Sequence, residues 1–119
     1  MSKAIKPINW ENFLKEFSAR NHNRRARFEL FNIGERSEET QESHLENISL
    51  RKFGNQTQLI VTRIDKSGKE EAKIVDTLEN VHGLGVQLES DGSENVLEVA
   101  DNKGNLAMLR FESKIDGAS

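Results

Sequence analysis

Residues 8 to 17 read Ile8-Asn9-Trp10-Glu11-Asn12-Phe13-Leu14-Lys15-Glu16-Phe17, and their spacing decides the fold class. Trp10, Phe13, Leu14 and Phe17 stand at i, i+3, i+4 and i+7, which places three of the chain's seven aromatic residues on one helical face. A helix with such a stripe needs an apolar surface to cover. Asn9 is suited to cap the first turn, and Glu11 lies where the helix dipole favours negative charge. Ile8 and Phe13 occupy the two positions of a hydrophobic staple. Asn21-His22-Asn23 supplies turn chemistry, so the helix is expected over residues 8–20.

Residues 25–111 read as antiparallel strands joined by turns. In Arg25 to Ile33 the apolar phase begins at Ala26, Phe28 and Leu30 and then moves to Phe31 and Ile33, a shift that a β-bulge or a strong bend near Leu30 would explain. Residues 34–43 contain no apolar side chain and read as a mobile acidic loop. Leu45 to Phe53 forms a second strand with Ile48 and Leu50 inward. Leu59 to Ile64 has apolar residues on both faces, the mark of a covered central strand. Asp65-Lys66-Ser67-Gly68 turns the chain into Ala72 to Leu78. Leu84, Val86 and Leu88 then alternate with polar or small residues, Asp91-Gly92 leads into Val96 to Ala100, and Asp101-Asn102-Lys103-Gly104 leads into Leu106 to Phe111. Residues 112–119 read as a frayed tail.

One helix and about six short strands predict an α+β single domain spanning 1–119, with the helix packed on a bent antiparallel sheet. The expected closure is a small SH3-like or Sm-like barrel or roll, and the alternative is an open antiparallel sheet with the helix across one face. With 119 residues, one core can form without disulfides or a structural metal. The sequence has no cysteine, which excludes a disulfide framework, a thiolate zinc site and a cysteine nucleophile. No apolar run suits a signal peptide or a membrane span, so a soluble cytoplasmic protein with no membrane partner is expected.

The net charge of −3 conceals a split. Residues 1 to 27 carry seven basic side chains against Glu11 and Glu16, a local +5, and the rest of the chain carries −8. An acidic remainder argues against a protein that coats nucleic acid along its whole surface. Arg20, Arg24, Arg25 and Arg27, with His22 among them, are the one concentrated cation cluster. They suit the C-terminal end of a helix dipole, or a polyanion or acidic partner bound through guanidinium groups.

Other chemistry is sparse. His22, His44 and His82 lie far apart in sequence, and no nucleophile motif is present, so neither a catalytic residue nor a metal site is expected. Asp101 to Asn105 opens like a calcium loop, but Lys103 stands at a ligand position and Leu106 where glycine is needed, so a hairpin turn is expected. Gly83-Leu84-Gly85 is followed by strand periodicity rather than a helix, which points to a bulge or close backbone packing instead of a nucleotide fingerprint. No cofactor is indicated.

Trp10, Phe13, Phe17 and Ser18 at the opening, the strand from Phe28 to Ile33, and the closing hairpin Leu97-Glu98-Val99, Asp101 to Gly104, Leu109-Arg110-Phe111 together resemble a small bacterial family of unknown function. Members of that family often place a proline before the final hairpin, whereas the only proline here is Pro7. The resemblance implies a helix followed by antiparallel strands and no particular activity. Two functions are therefore carried forward: a small non-enzymatic module that binds a protein partner, and a nucleic-acid or nucleotide binder working through Arg20, Arg24, Arg25 and Arg27. The absence of aromatic residues interleaved with the arginines weighs against the second.

Overall fold

A computed structural model describes residues 2–112. The chain runs β1 (Ser2–Ala4), a 3-10 turn (Pro7–Asn9), α1 (Trp10–Arg20), β2 (Arg25–Asn32), β3 (Glu35–Glu38), β4 (Ser43–Phe53), β5 (Gln56–Asp65), β6 (Ala72–Leu78), β7 (Val81–Leu88), β8 (Glu94–Asp101) and β9 (Leu106–Phe111). The α+β class and the antiparallel pairing follow the sequence reading. Among the described residues the sheet has nine strands rather than about six, in the order β1-β7-β8-β9-β2-β4-β5-β6 with β3 beside β2, and it does not close into a barrel; seven of the nine coincide with the segments read above as strands, and β1 and β3 are extra. The first extra strand, β1, is too short and exposed to carry a periodic signal, and pairs with β7 opposite Gly85. A Cβ on Gly85 would lie 3.3 Å from the Lys3 carbonyl oxygen and 3.2 Å from a Glu98 carboxylate oxygen. Glycine at this position is what lets β1 approach.

The second extra strand corrects the acidic-loop assignment of residues 34–43. The turn at Gly34, with φ +79°, returns the chain as β3, which pairs residue for residue with the C-terminal half of β2 from Glu29↔Glu38 to Asn32↔Glu35. No apolar periodicity announces β3 because all four of its residues are exposed. β2 also contains no bulge at Leu30: its register with β9 is unbroken from Ala26↔Phe111 to Phe31↔Leu106. The phase shift has another origin. Ala26 and Phe28 face the core, the opposite face is occupied by buried Glu29, and Ile33 has left the strand and stands 79% exposed. The bulges lie elsewhere, at Glu46 in β4, His82 in β7 and Asn95 in β8, opposite the end of β7.

The core is one cluster built from Trp10, Leu14 and Phe17 of α1 and inward residues of both arms of the sheet, including Phe28, Ile48, Leu59, Val61, Leu97 and Leu109. Phe17 stacks edge-on against Phe111 at 5.6 Å, a geometry favoured by the ring quadrupoles. The N-terminal details of the helix differ from expectation. Asn9 makes no side-chain cap bond, and Ile8 is 90% exposed, so the staple is not formed. Pro7 instead starts a 3-10 turn that leads directly into α1, and the Trp10 indole N–H donates to the Ile5 carbonyl at 2.8 Å. Glu112, assigned to the tail, is also held: its N–H donates to the Arg25 carbonyl at 3.0 Å. The rest of the expected tail lies outside the described residues.

Trp10 is 6% exposed and satisfied at its one polar atom, so Trp10→Ala removes both a large apolar contact and a buried hydrogen bond. The expected loss is about 3–5 kcal/mol, read by urea unfolding. A loss below about 1 kcal/mol would mean that α1 is not docked as described.

Candidate functional site

Three of the four candidate arginines are brought together, but around partners within the chain. Arg20 forks onto Glu94 through Nε at 3.0 Å and Nη2 at 2.8 Å. Asn21, buried at the end of α1, donates to the same Glu94 carboxylate at 2.9 Å. Arg24 is buried, lies 5.1 Å over the Phe111 ring, and donates to Asn21 Oδ1, the Glu94 carbonyl and the Glu112 carbonyl. Arg25 pairs with the Glu112 carboxylate at 2.7 Å. These arginines tie the helix end to β8 and to the end of β9. Arg27 stands apart on β2 opposite Arg110, with no ion pair among the described residues.

Two further guanidinium sites lie outside the cluster read from the sequence. Glu29 is buried on the outer face of the sheet between Arg36 and Arg110, both of which donate to its carboxylate. Arg63 projects from β5 with no exposed surface. It lies 4.7 Å over the Phe28 ring and donates to the Ala26 carbonyl at 3.2 Å, to Glu39 at 2.7 and 3.1 Å, and to Asp76 at 2.9 Å. Glu39 also accepts the Phe28 N–H at 2.6 Å. Arg63 thus joins β2, the segment after β3, and β6 across a cleft of about 380 Å³ floored by Phe28, Leu30 and Leu78. The sequence signal was present as an arginine inside an otherwise apolar strand, but its acidic partners are 13 and 24 residues away.

The histidines serve separate elements. His22 is 3.7 Å from Glu46, His44 lies in β4, and His82 occupies the β7 bulge. Among the described residues no group of three or more His, Cys, Asp or Glu is placed to hold a metal ion, and no helix is long and apolar enough to cross a membrane. Asp101 accepts the N–H groups of Lys103 and Asn105 and forms the hairpin turn into β9.

A different feature is a strand edge with no second strand beside it. β4 leaves β2 after its first residues: Arg25↔His44 and Ala26↔Ser43 are paired, Leu45 bonds to Asn23 and Arg24, and from Asn47 onward β4 pairs only with β5. The helix takes the vacant side. The Ser18 hydroxyl accepts the Ile48 N–H at 2.9 Å and donates to the Ile48 carbonyl at 3.1 Å, so both backbone groups of Ile48 point away from β5. Antiparallel pairs alternate between bonded and non-bonded, so Leu50 and Lys52 also turn their N–H and C=O outward, while Ser49 and Arg51 face β5. Beyond Ser18 the helix separates from this edge. A groove of about 570 Å³ opens between them, walled by Ile8, Leu14 and Lys15 on one side and Asn47, Ile48 and Leu50 on the other.

No protein-family model, curated protein sequence or solved structure matches this chain.

The ion pairs set the acid response. Burial opposes the charge of Glu94, but hydrogen bonds from Arg20 and Asn21 outweigh it and hold the carboxyl below its ordinary value. Burial likewise opposes Glu39, and Arg63 with the Phe28 N–H lowers it. Hydrogen bonds from Arg110 and then Arg36 lower Glu29. Each titrates lower folded than unfolded, so the stabilisation is complete above the unfolded value, about pH 4.3, and is lost as pH falls through the folded values. The thermal midpoint is expected to be level from about pH 7 to 5 and to drop steeply below about 4. A midpoint that held or rose on acidification would contradict these pairings.

Replacing residues 34–43 with a Gly/Ser linker removes β3 and Glu39 while leaving Arg63 buried. The expected cost is at least about 1–3 kcal/mol, the range for a lost hydrogen bond to a charged group. A thermal midpoint unchanged by the replacement would show that the Glu39 contact contributes nothing.

Proposed function

We propose that this protein is a small cytoplasmic interaction module, not an enzyme, which binds an extended segment of a protein partner along the free edge of β4. The observation that carries this reading is the Ser18 bridge. A helix hydroxyl occupies the place of a missing strand at Ile48, and the next outward-facing positions, Leu50 and Lys52, have no strand paired to that side, with the helix across the groove from Leu50. An extended peptide laid there would gain main-chain hydrogen bonds from β4 and would place alternate side chains toward Leu14 and Ile8. The cleft beside Arg63 is the poorer candidate, because its two walls are already joined by ion pairs through that residue. The nucleic-acid reading loses its support in the same way, since Arg20, Arg24 and Arg25 are engaged by Glu94, Asn21 and Glu112.

Amide exchange and peptide titration test the proposal together. In the free protein the Leu50 and Lys52 amides are expected to exchange faster than those of Ser49 and Arg51. Peptides of about six residues, alternating valine with glutamate, glutamine or lysine, are then titrated to millimolar concentration. At least one is expected to shift the amides of residues 47–53 and to slow exchange at Leu50 and Lys52. Shifts confined to another surface, or none with any peptide, would overturn the reading.

A further inference from the structure

The charge of the groove selects among partners. Lys15 lines it, and Arg51 and Lys52 continue along β4 past Leu50. None of these three cations has an ion-pair partner among the described residues, in contrast to Arg20, Arg24, Arg25, Arg36, Arg63 and Arg110, which are all committed to internal acceptors. Glu11 is the one acidic side chain lining the groove. In a chain whose net charge is −3, free cations beside an open strand edge are a local reversal of sign.

We propose that the segment bound at β4 is acidic: an extended peptide of alternating apolar and carboxylate side chains, with apolar residues on the Leu50 face against Leu14 and Ile8 and carboxylates on the opposite face, beside Arg51. This rests on the reading of β4 as a docking edge and adds the chemistry of its ligand. Alternation follows from the strand geometry, since successive side chains of the added strand point to opposite faces. A second copy of the chain fits less well. Antiparallel pairing of two β4 edges through the outward groups of Leu50 and Lys52 would centre on Arg51 and set it against its counterpart in the other copy, and like charges facing across strands are destabilising. The complementary charges would also speed encounter and make binding salt-dependent.

The three alternating peptides separate this inference from the reading beneath it. With the native protein, the glutamate peptide is expected to bind at least about tenfold more tightly than the lysine peptide, with affinity falling as salt rises. Lys15→Glu with Arg51→Glu should reverse that order. Lys52→Pro removes an outward N–H without touching a bond to β5, and should weaken every peptide relative to Lys52→Ala, with the thermal midpoint as the check on folding. Equal or tighter binding of the lysine or glutamine peptide at residues 47–53 would overturn the acidic partner and leave the docking edge standing. No shift there with any peptide would remove both. Shifts at the same amides that grow with protein concentration alone would identify a second copy as the occupant and overturn the acidic partner.

Discussion

Strand β2 has no hydrogen-bonding capacity to spare, and the shape of the molecule depends on that constraint. One of its edges is taken by β9 along residues 26–31, and the other is divided between β3 and the first residues of β4. β4 must therefore leave β2 after Leu45, and the Glu46 bulge is where it does so. The departure bends the sheet into two arms, which meet where β5 touches β7, and it leaves a stretch of β4 with a neighbour on one side only. Backbone groups inside a protein must find partners. Ser18 supplies them at Ile48, and in doing so fixes the helix to the strand edge rather than to a sheet face.

The bend is also what makes a fully buried arginine tenable. Between the arms, Arg63 lies on the Phe28 ring and meets Glu39 and Asp76 from two different segments, so its charge is compensated where water cannot reach it. A buried guanidinium with fewer acceptors would carry a large desolvation cost. Its two carboxylate partners are each about two fifths exposed, which leaves them in contact with solvent while they neutralise the interior charge. Much of the chain's positive charge is used this way: in the Arg20–Arg24–Glu94 network, in the Arg36–Glu29–Arg110 triad and around Arg63. The cations beside the β4 groove differ from these in having no acceptor among the described residues.

Sequence reading located the apolar stripe of α1, the covered strand through Leu59 and Val61, and the turns at Asp91-Gly92 and Asp101 to Gly104, because each is written in adjacent residues whose periodicity or turn chemistry reports burial directly. It missed β1 and β3, whose residues are exposed and whose strand character comes from the neighbour they pair with. It read the phase shift in β2 as a bulge or a strong bend near Leu30, whereas the register with β9 is unbroken and the opposite face holds Glu29, buried between two arginines. The arginine cluster was visible by composition, but its partners Glu94 and Glu112 are about 70 to 90 residues distant, and no local pattern marks them.

The sequence by itself determined which residues are apolar enough to be buried, where the chain turns, and that one helix must cover a sheet, since these follow from side-chain chemistry at short range. Tertiary structure alone decided which cations are neutralised and which strand edge is left open. Both depend on the order in which strands become neighbours. A charge or a backbone donor is spent or free only in relation to groups that chain topology brings beside it from far along the sequence.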